Sequence, residues 1–258
     1  MPIVAGIHYF LHEGGGQKKP PLVLIHGAGG NHLSWPPEIR RLPGARVFSL
    51  DLPGHGKSKG PGRQSVGDYA ESVIGFMNAA DLSRAVFIGH ALGGAIALTL
   101  AIDHPQRVAG IGLIATGARL PISSGVLDNS ANPATFILAV QSLQELMNTP
   151  VTAKLVKDQA YKQLSSIRPS LFHGDLRASD QFDVTTCLGV IRTPVLVVCG
   201  TIDQLTPRRL SENLAEKIPG AALQTIDGAG HLVMLEQPRR VAGILSVFHK
   251  IIPYVPGE

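Results

Sequence analysis

The sequence predicts an α/β fold in which a mostly parallel sheet is flanked by helices. Short apolar runs at residues 22–25, 85–88 and 194–199 are typical of buried parallel strands. These runs alternate with helical patterns along the chain, and this alternation favours one doubly wound sheet over two small domains. A length of 258 residues is compatible with a single large α/β domain.

The individual elements follow from the same apolar and helical patterns, read in chain order. Apolar or alternating runs bounded by turn residues predict strands at 3–11, 22–26, 45–50, 85–88, 108–115, 194–199 and 223–226. Helical periodicity predicts helices at 67–80, from 95 onward, at 207–218 and at 238–251. Pro207 suits the first turn of its helix, and the pair Pro219-Gly220 is a typical stop signal.

Residues 118–189 interrupt the alternation of strands and helices. They contain consecutive helical patterns, one from Asn132 to Met147 and one over 151–165. Asn132 is suited to cap the first of these, with Pro133 in its first turn. The chain therefore divides into a core at 1–117 and 190–258 and a helical insertion at 118–189. We expect the insertion to be separable from the core in folding terms.

The segment 89–94 has the form of a nucleophile elbow. It reads Gly-His-Ala-Leu-Gly-Gly between an apolar strand and an apolar helix. In such an elbow the central residue, here Ala91, lies in a strained turn that directs its side chain into the active site. Gly89 and Gly93 flank it because a Cβ there would crowd the close approach of strand and helix.

Two further loops supply the partners that an elbow requires. Asp203 lies just beyond the strand at 194–199, and His231 follows the last predicted strand after a Gly-Ala-Gly turn. The order of nucleophile position, acid and histidine is the one used on this kind of scaffold. A third loop, His26-Gly27-Ala28, follows the strand at 22–25.

On these motifs the chain resembles the α/β-hydrolase-fold superfamily, and within it the serine esterases and lipases. The resemblance covers nearly the whole chain outside residues 118–189. It implies that Asp203 is the acid, that His231 is the base and that residues 118–189 form a helical lid. It also implies that the backbone N–H groups of Ala28 and Leu92 form the oxyanion hole.

The remaining site residues are assigned less directly. Gly27 is expected to contact substrate, and His32, near the oxyanion loop, is a further candidate. Apolar lid side chains would line the pocket, although none is singled out among Phe136, Ile137, Val140, Leu143, Leu146, Leu155 and Phe172. The chemistry needs no cofactor, and we expect no metal site.

The identity of the missing nucleophile can be inferred from its neighbours. The superfamily also uses aspartate, but those enzymes usually carry tryptophan at the next position, where this chain has Leu92. The flank therefore favours serine. With Ala91 in its place we expect this chain to be nearly inactive. Because only one catalytic residue is altered, an engineered Ser→Ala change is favoured over a natural pseudoenzyme.

The expected function is that of a carboxylesterase acting on small to medium acyl esters through an acyl-enzyme. Lactonases and carbon–carbon bond hydrolases share the same three catalytic positions and remain alternatives. The carbon–carbon enzymes often carry tryptophan after the catalytic histidine, whereas this chain has Leu232. A non-catalytic ligand receptor on the same scaffold is the alternative from a different class, and Ala91 is its only support.

The resemblance implies a small-molecule ester as the partner, and composition favours neither a nucleic acid nor a membrane as a second one. The formal net charge is +4, but the basic residues are scattered and no nucleic-acid motif accompanies them. No apolar stretch approaches the ~20 residues of a membrane span, and residues 1–14 lack a secretory signal pattern. Cys187 and Cys199 form no disulfide framework, so we expect a cytoplasmic protein. The sequence leaves monomer and dimer open.

Overall fold

The computed structural model describes residues 2–14 and 19–253. Its strands form one eight-stranded sheet with the spatial order β1-β2-β4-β3-β5-β6-β7-β8. Their bounds are β1 Ile3–Val4, β2 Ile7–Glu13, β3 Leu22–Ile25, β4 Arg46–Leu50, β5 Ala85–His90, β6 Val108–Ile114, β7 Val195–Gly200 and β8 Ala222–Ile226. The pairs β1–β2 and β2–β4 are antiparallel, and every other neighbouring pair is parallel. The predicted mostly parallel sheet is confirmed.

Helices cover both faces of this sheet. Their bounds are α1 Pro37–Arg40, α2 Val66–Ala79, α3 Leu92–Asp103, α4 Ser124–Ala131, α5 Phe136–Met147, α6 Lys154–Ser166, α7 Pro169–Asp180, α8 Arg208–Lys217, α9 Val233–Glu236 and α10 Pro238–Ile251. Apolar side chains of α2, α3 and α8 pack on one face, and those of α1, α9 and α10 pack on the other. Helix α3 is buried on nearly all sides, which explains why its sequence is apolar throughout.

The parallel register brings the loops that follow the central strands to one edge of the sheet. Ile25 at the end of β3 is opposite Gly89 in β5, and His90 is opposite Ile114 at the end of β6. Every residue of β3, β5, β6 and β7 is buried. Ligands of open α/β sheets bind at this carboxyl edge, so the core positions the predicted catalytic loops together.

The first strand differs from its prediction. Residues 3–11 were expected to be continuous, but a turn at Ala5-Gly6, with φ of 49° and 78°, separates β1 from β2. Glycine adopts such positive φ values at little cost, which accounts for the reversal at this position.

Residues 118–189 contain the four helices α4 to α7, which share a small apolar cluster centred on Phe136 and Phe172. The predicted cap of α5 was wrong. The helix begins at Phe136, and Asn132 instead follows the end of α4, where its side-chain oxygen accepts the N–H of Ala134. In the described ranges of the chain, no helix combines the length and the apolar character needed to cross a membrane.

Candidate active site

The elbow has the strained backbone that the sequence predicts. Ala91 lies between β5 and α3 with φ of 48° and ψ of −112°, a conformation unfavourable for a residue with a Cβ. A Cβ built on Gly89 would lie 2.0 Å from the carbonyl oxygen of Gly93. A Cβ on Gly93 would lie 2.1 Å from the carbonyl oxygen of Ile25. Both flanking glycines are therefore required by close backbone contacts.

The predicted acid and base form a hydrogen-bonded pair. His231 Nδ1–H donates to Asp203 Oδ2 over 3.1 Å, and both side chains are buried. Asp203 Oδ1 accepts the backbone N–H groups of Leu205 and Thr206, each over 2.9 Å. This pairing fixes the orientation of the imidazole and is the arrangement that a general base requires.

Thr206 is a member of this group that sequence reasoning missed. Its hydroxyl donates to Asp203 Oδ2 over 2.6 Å, and its oxygen lies 3.1 Å from His231 Nδ1. Burial alone would raise the pKa of Asp203. The charge of His231 and the donors from His231 and Thr206 outweigh burial and lower that pKa. The carboxylate therefore stays ionised beside the histidine.

The predicted oxyanion loop lies against the elbow. A Cβ built on Gly27 would be 3.5 Å from the Cβ of Ala91 and 3.0 Å from His90 Nδ1. Ala28 and Leu92 both line the cavity above Ala91. Leu92 is the first residue of α3, where helix N–H groups have no intrahelical acceptor and the helix dipole favours negative charge.

One cavity of about 850 Å³ connects these residues. Ala91, His231, Ala28, Leu92 and Gly27 all lie in its wall. The residues between β6 and β7 supply most of its apolar lining, namely Leu120, Ile122, Val126, Leu143, Leu146, Met147, Leu164, Phe172 and Leu176. Three of the seven candidate lid residues therefore line the cavity.

The other four candidate lid residues have different environments. Phe136 and Val140 are buried in the apolar cluster of the insertion. Ile137 and Leu155 are exposed at the surface. The helical pattern identified the insertion but could not distinguish these three environments.

His32 lies in a buried polar group instead of in the lining of the cavity. Its N–H and its Nδ1–H both donate to Asp51 Oδ1, over 2.7 and 2.8 Å. His8 Nδ1–H donates to Asp51 Oδ2 over 2.7 Å, and the N–H of Lys57 donates to the same atom. The structure thus gives His32 a role in holding the loop after β4, and it separates this residue from the other candidate site residues.

His90, next to the elbow, is held neutral. Burial, followed by the nearby His231, lowers its pKa to about 3. Its Nε2–H donates to the carbonyl oxygen of His231 over 3.1 Å. His90 therefore supports the histidine loop from the end of β5.

Two acidic residues that no sequence pattern singled out hold the catalytic loops. Asp175 on α7 is fully buried and accepts the N–H of Gly29. Glu236 Oε2 accepts the N–H of Gly230, directly before His231, while its Oε1 accepts the hydroxyl of Thr152 over 2.5 Å. Isolated acidic residues in helical patterns carry no signal of such contacts, because their partners are distant in sequence.

The parallel sheet, the elbow, the Asp–His pair and the adjoining cavity together define an α/β-hydrolase scaffold. Residues 20–238 match the family described as alpha/beta hydrolase fold, and the chain belongs to this family.

Its relatives have different activities. A dihydrolipoyllysine-residue acetyltransferase component of an acetoin cleaving system, from Pseudomonas putida, is 33% identical over 89% of this chain, which spans 63% of that relative's length. A pimeloyl-[acyl-carrier protein] methyl ester esterase from Aromatoleum aromaticum is 30% identical, over 88% of this chain and 97% of its own. A solved structure described as an N-acyl homoserine lactone degrading enzyme superposes with a TM-score of 0.82. It is 28% identical, with 94% of this chain and 96% of that chain covered.

Proposed function

We propose that this site is that of a serine-type carboxylic ester hydrolase in which Ala91 occupies the position of the nucleophile. The observation that carries the proposal is the retained elbow strain at Ala91 beside an intact Asp203–His231 pair. Strained backbone persists where the surrounding structure enforces it, and it is concentrated at functional sites. The names of the relatives support hydrolysis or transfer of acyl groups, including a methyl ester esterase.

The mechanism of the serine form follows from the positions of these groups. A serine oxygen at position 91 attacks the ester carbonyl carbon while His231 takes its proton. The oxyanion that forms accepts hydrogen bonds from the N–H groups of Ala28 and Leu92. The tetrahedral intermediate collapses, the alcohol leaves with the proton from His231, and an acyl-enzyme remains. His231 then activates a water molecule that releases the acid and regenerates the serine.

The cavity supports small to medium acyl esters as substrates. Its volume of about 850 Å³ and the apolar side chains in its wall suit an acyl chain of this size. Lactones are cyclic esters that react by the same steps, so a lactonase is the nearest alternative, and one structural relative is described as degrading lactones.

A second candidate function is non-catalytic ligand binding. Ala91 favours it directly, because a methyl group cannot attack a carbonyl and the chain as it stands retains a cavity with backbone donors. We expect this chain to bind esters and carboxylic acids while turning esters over only at a residual rate. Such binding is measured as a rise in melting temperature with ligand concentration.

The test is the Ala91→Ser variant, assayed with p-nitrophenyl esters of two to ten carbons and with acyl homoserine lactones. The expected result is an increase in kcat of roughly 10⁶-fold, which is about 8 kcal/mol of activation free energy. A fluorophosphonate probe should label the introduced serine and leave the Ala91 chain unlabelled. The double variant Ala91→Ser/His231→Gln is the matched control and should lose both properties.

The outcomes separate the two candidate functions. If the folded Ala91→Ser protein neither hydrolyses these esters and lactones nor takes up the probe, the hydrolase proposal fails. Ligand-dependent stabilisation of the unaltered chain would then make binding the leading function. If hydrolysis appears only with lactones, the ester preference is wrong while the mechanism stands.

A further inference from the structure

The helical insertion reaches the oxyanion loop through one buried carboxylate. Asp175 on α7 has no solvent exposure. Its Oδ2 accepts the N–H of Gly29 over 2.8 Å and the Nε2–H of His55 over 2.8 Å. Its Oδ1 accepts the hydroxyl of Tyr69 over 2.5 Å. The carboxylate thus joins α7 to the oxyanion loop, to the loop after β4 and to helix α2.

The insertion contacts both backbone polar groups of Gly29 and also fills the position that a Cβ would occupy. Its carbonyl oxygen accepts the side-chain N–H of Gln163 on α6 over 3.0 Å, and its N–H is bound by Asp175. Gly29 has a φ of 66°, and a Cβ there would lie 2.7 Å from Leu164 and 3.0 Å from Phe172. The insertion therefore determines where this residue sits.

Gly29 directly follows Ala28, the residue whose N–H is the candidate oxyanion donor. The loop is a tight turn in which the N–H of Gly30 donates to the carbonyl oxygen of Gly27 over 3.0 Å. In such a short turn, a displacement of Gly29 rotates the neighbouring peptide groups. Oxyanion donors act only when they are held in advance within hydrogen-bond distance of the developing charge.

We propose that Asp175 is a positioning residue for the oxyanion hole, acting from the inserted helices through Gly29. This rests on the proposed hydrolase function. The insertion is then a structural part of the catalytic apparatus as well as the wall of the pocket. Asp175 does not touch the reacting atoms, and its effect passes through the backbone of the oxyanion loop.

The charges around Asp175 strengthen its hydrogen bond to the N–H of Gly29. Burial by itself raises the pKa of Asp175, but the charge of His55 and the donors from His55, Tyr69 and Gly29 hold that pKa below its ordinary range. Burial likewise opposes ionisation of His55, yet Asp175 raises the pKa of this histidine. An ionised carboxylate makes stronger hydrogen bonds than a neutral one, so the bond to Gly29 is charge-assisted.

Three variants distinguish a positioning role from general stabilisation. Asp175→Leu removes every acceptor while keeping a similar shape. Asp175→Asn keeps one oxygen for Gly29 and His55 and presents its amide to the oxygen of Tyr69, so it is the conservative rescue. Tyr69→Phe is the matched control, because it removes a donor from the same buried carboxylate and leaves the Gly29 bond intact.

The kinetic experiment uses these variants in the Ala91→Ser background. Asp175→Leu should lower kcat by about 100-fold with KM changed by less than about threefold, because the contact affects the transition state more than substrate binding. Asp175→Asn should recover kcat to within about tenfold. Tyr69→Phe should lower the melting temperature and leave kcat within about twofold. A folded Asp175→Leu variant with unchanged kcat, or an equal loss of kcat in Tyr69→Phe, overturns the proposal.

A second measurement in the unaltered Ala91 chain does not depend on catalysis. Hydrogen exchange of the Gly29 amide, followed by nitrogen-15 NMR, should accelerate by at least about tenfold in Asp175→Leu and stay unchanged in Tyr69→Phe. If Ala91→Ser is inactive, the function fails while this experiment still decides whether Asp175 holds the loop. If Asp175→Leu does not fold, Asp175→Asn, in which a neutral oxygen replaces the charged acceptor of the Gly29 N–H, should accelerate the same exchange by a smaller factor. Unchanged Gly29 exchange in the Asp175 variant that folds refutes the positioning role.

Discussion

Replacing Ala91 by glycine is expected to stabilise this protein, although the change removes a methyl group. At φ 48° and ψ −112° the alanine Cβ is in a sparsely populated region of backbone conformation. Such strain costs about 1–3 kcal/mol, and glycine relieves most of it. Glycine also raises the conformational entropy of the unfolded chain, which lowers the unfolding free energy by about 0.4–1 kcal/mol. The expected net gain is about 1.3 kcal/mol, the difference between the middles of these two ranges.

This gain corresponds to a rise in melting temperature of about 3–5 °C, because 1 kcal/mol shifts the midpoint of a domain of this size by about 2–4 °C. The assay is thermal unfolding followed by circular dichroism, with urea unfolding as a second measure of the free energy. Ala160→Gly is the matched control. Ala160 lies in the middle of α6, is half-buried and lines the same cavity, but its backbone is helical.

The control should lose about 1 kcal/mol, the ordinary cost of glycine in a helix interior. Opposite signs for the two substitutions would show that backbone conformation, and not loss of the methyl group, decides the result. An Ala91→Gly protein that melts at or below the temperature of the unaltered chain would refute the reasoning. The elbow would then be relaxed, and its geometry would carry no argument for a former nucleophile.

Two further predictions concern titratable side chains, one in the candidate site and one beside it. In the Ala91→Ser background, Asp203→Asn should lower kcat about a thousandfold or more by leaving His231 in the wrong tautomer; a loss under tenfold would mean that another carboxylate serves the histidine. Separately, His26 is buried with its Nε2 accepting the N–H of Leu52, and burial lowers its pKa to about 4. Because the unfolded histidine takes up a proton more readily, the unfolding free energy should fall as the pH drops from about 6.5 to about 4. In His26→Gln, the unfolding free energies measured with urea at pH 7 and at pH 5 should differ by less than they do in the unaltered chain. An equal difference in the two proteins would show that His26 is not the group responsible.

Local sequence patterns were sufficient to predict the sheet and the pairing of Asp203 with His231. Each depends on short segments whose type is set by nearby residues: an apolar strand, a glycine turn and a helix start. The break at Gly6 and the true start of α5 at Phe136 were missed, since helix and strand ends depend on tertiary packing more than on propensity.

Contacts between distant segments were not predictable from the sequence. Asp175 binds groups 106 to 146 residues away along the chain, and no spacing rule connects them. The same contacts add a stability cost to the expectation that residues 118–189 are separable from the core in folding terms. Such a truncation would leave the hydroxyl of Tyr69 and the ring of His55 without their buried acceptor, at a cost of about 1–3 kcal/mol for each group.

Glu236 sets a condition for exchanging specificity between members of this family. It joins the Gly230 amide of the histidine loop to Thr152, which lies in the connection between α5 and α6. A chimaera that imports a foreign insertion therefore has to bring a hydroxyl at the position of Thr152, or change Glu236 with it. Recombination boundaries placed only at the ends of the insertion would separate these co-dependent partners. A chimaera should therefore exchange the insertion together with Glu236, the core residue that binds it.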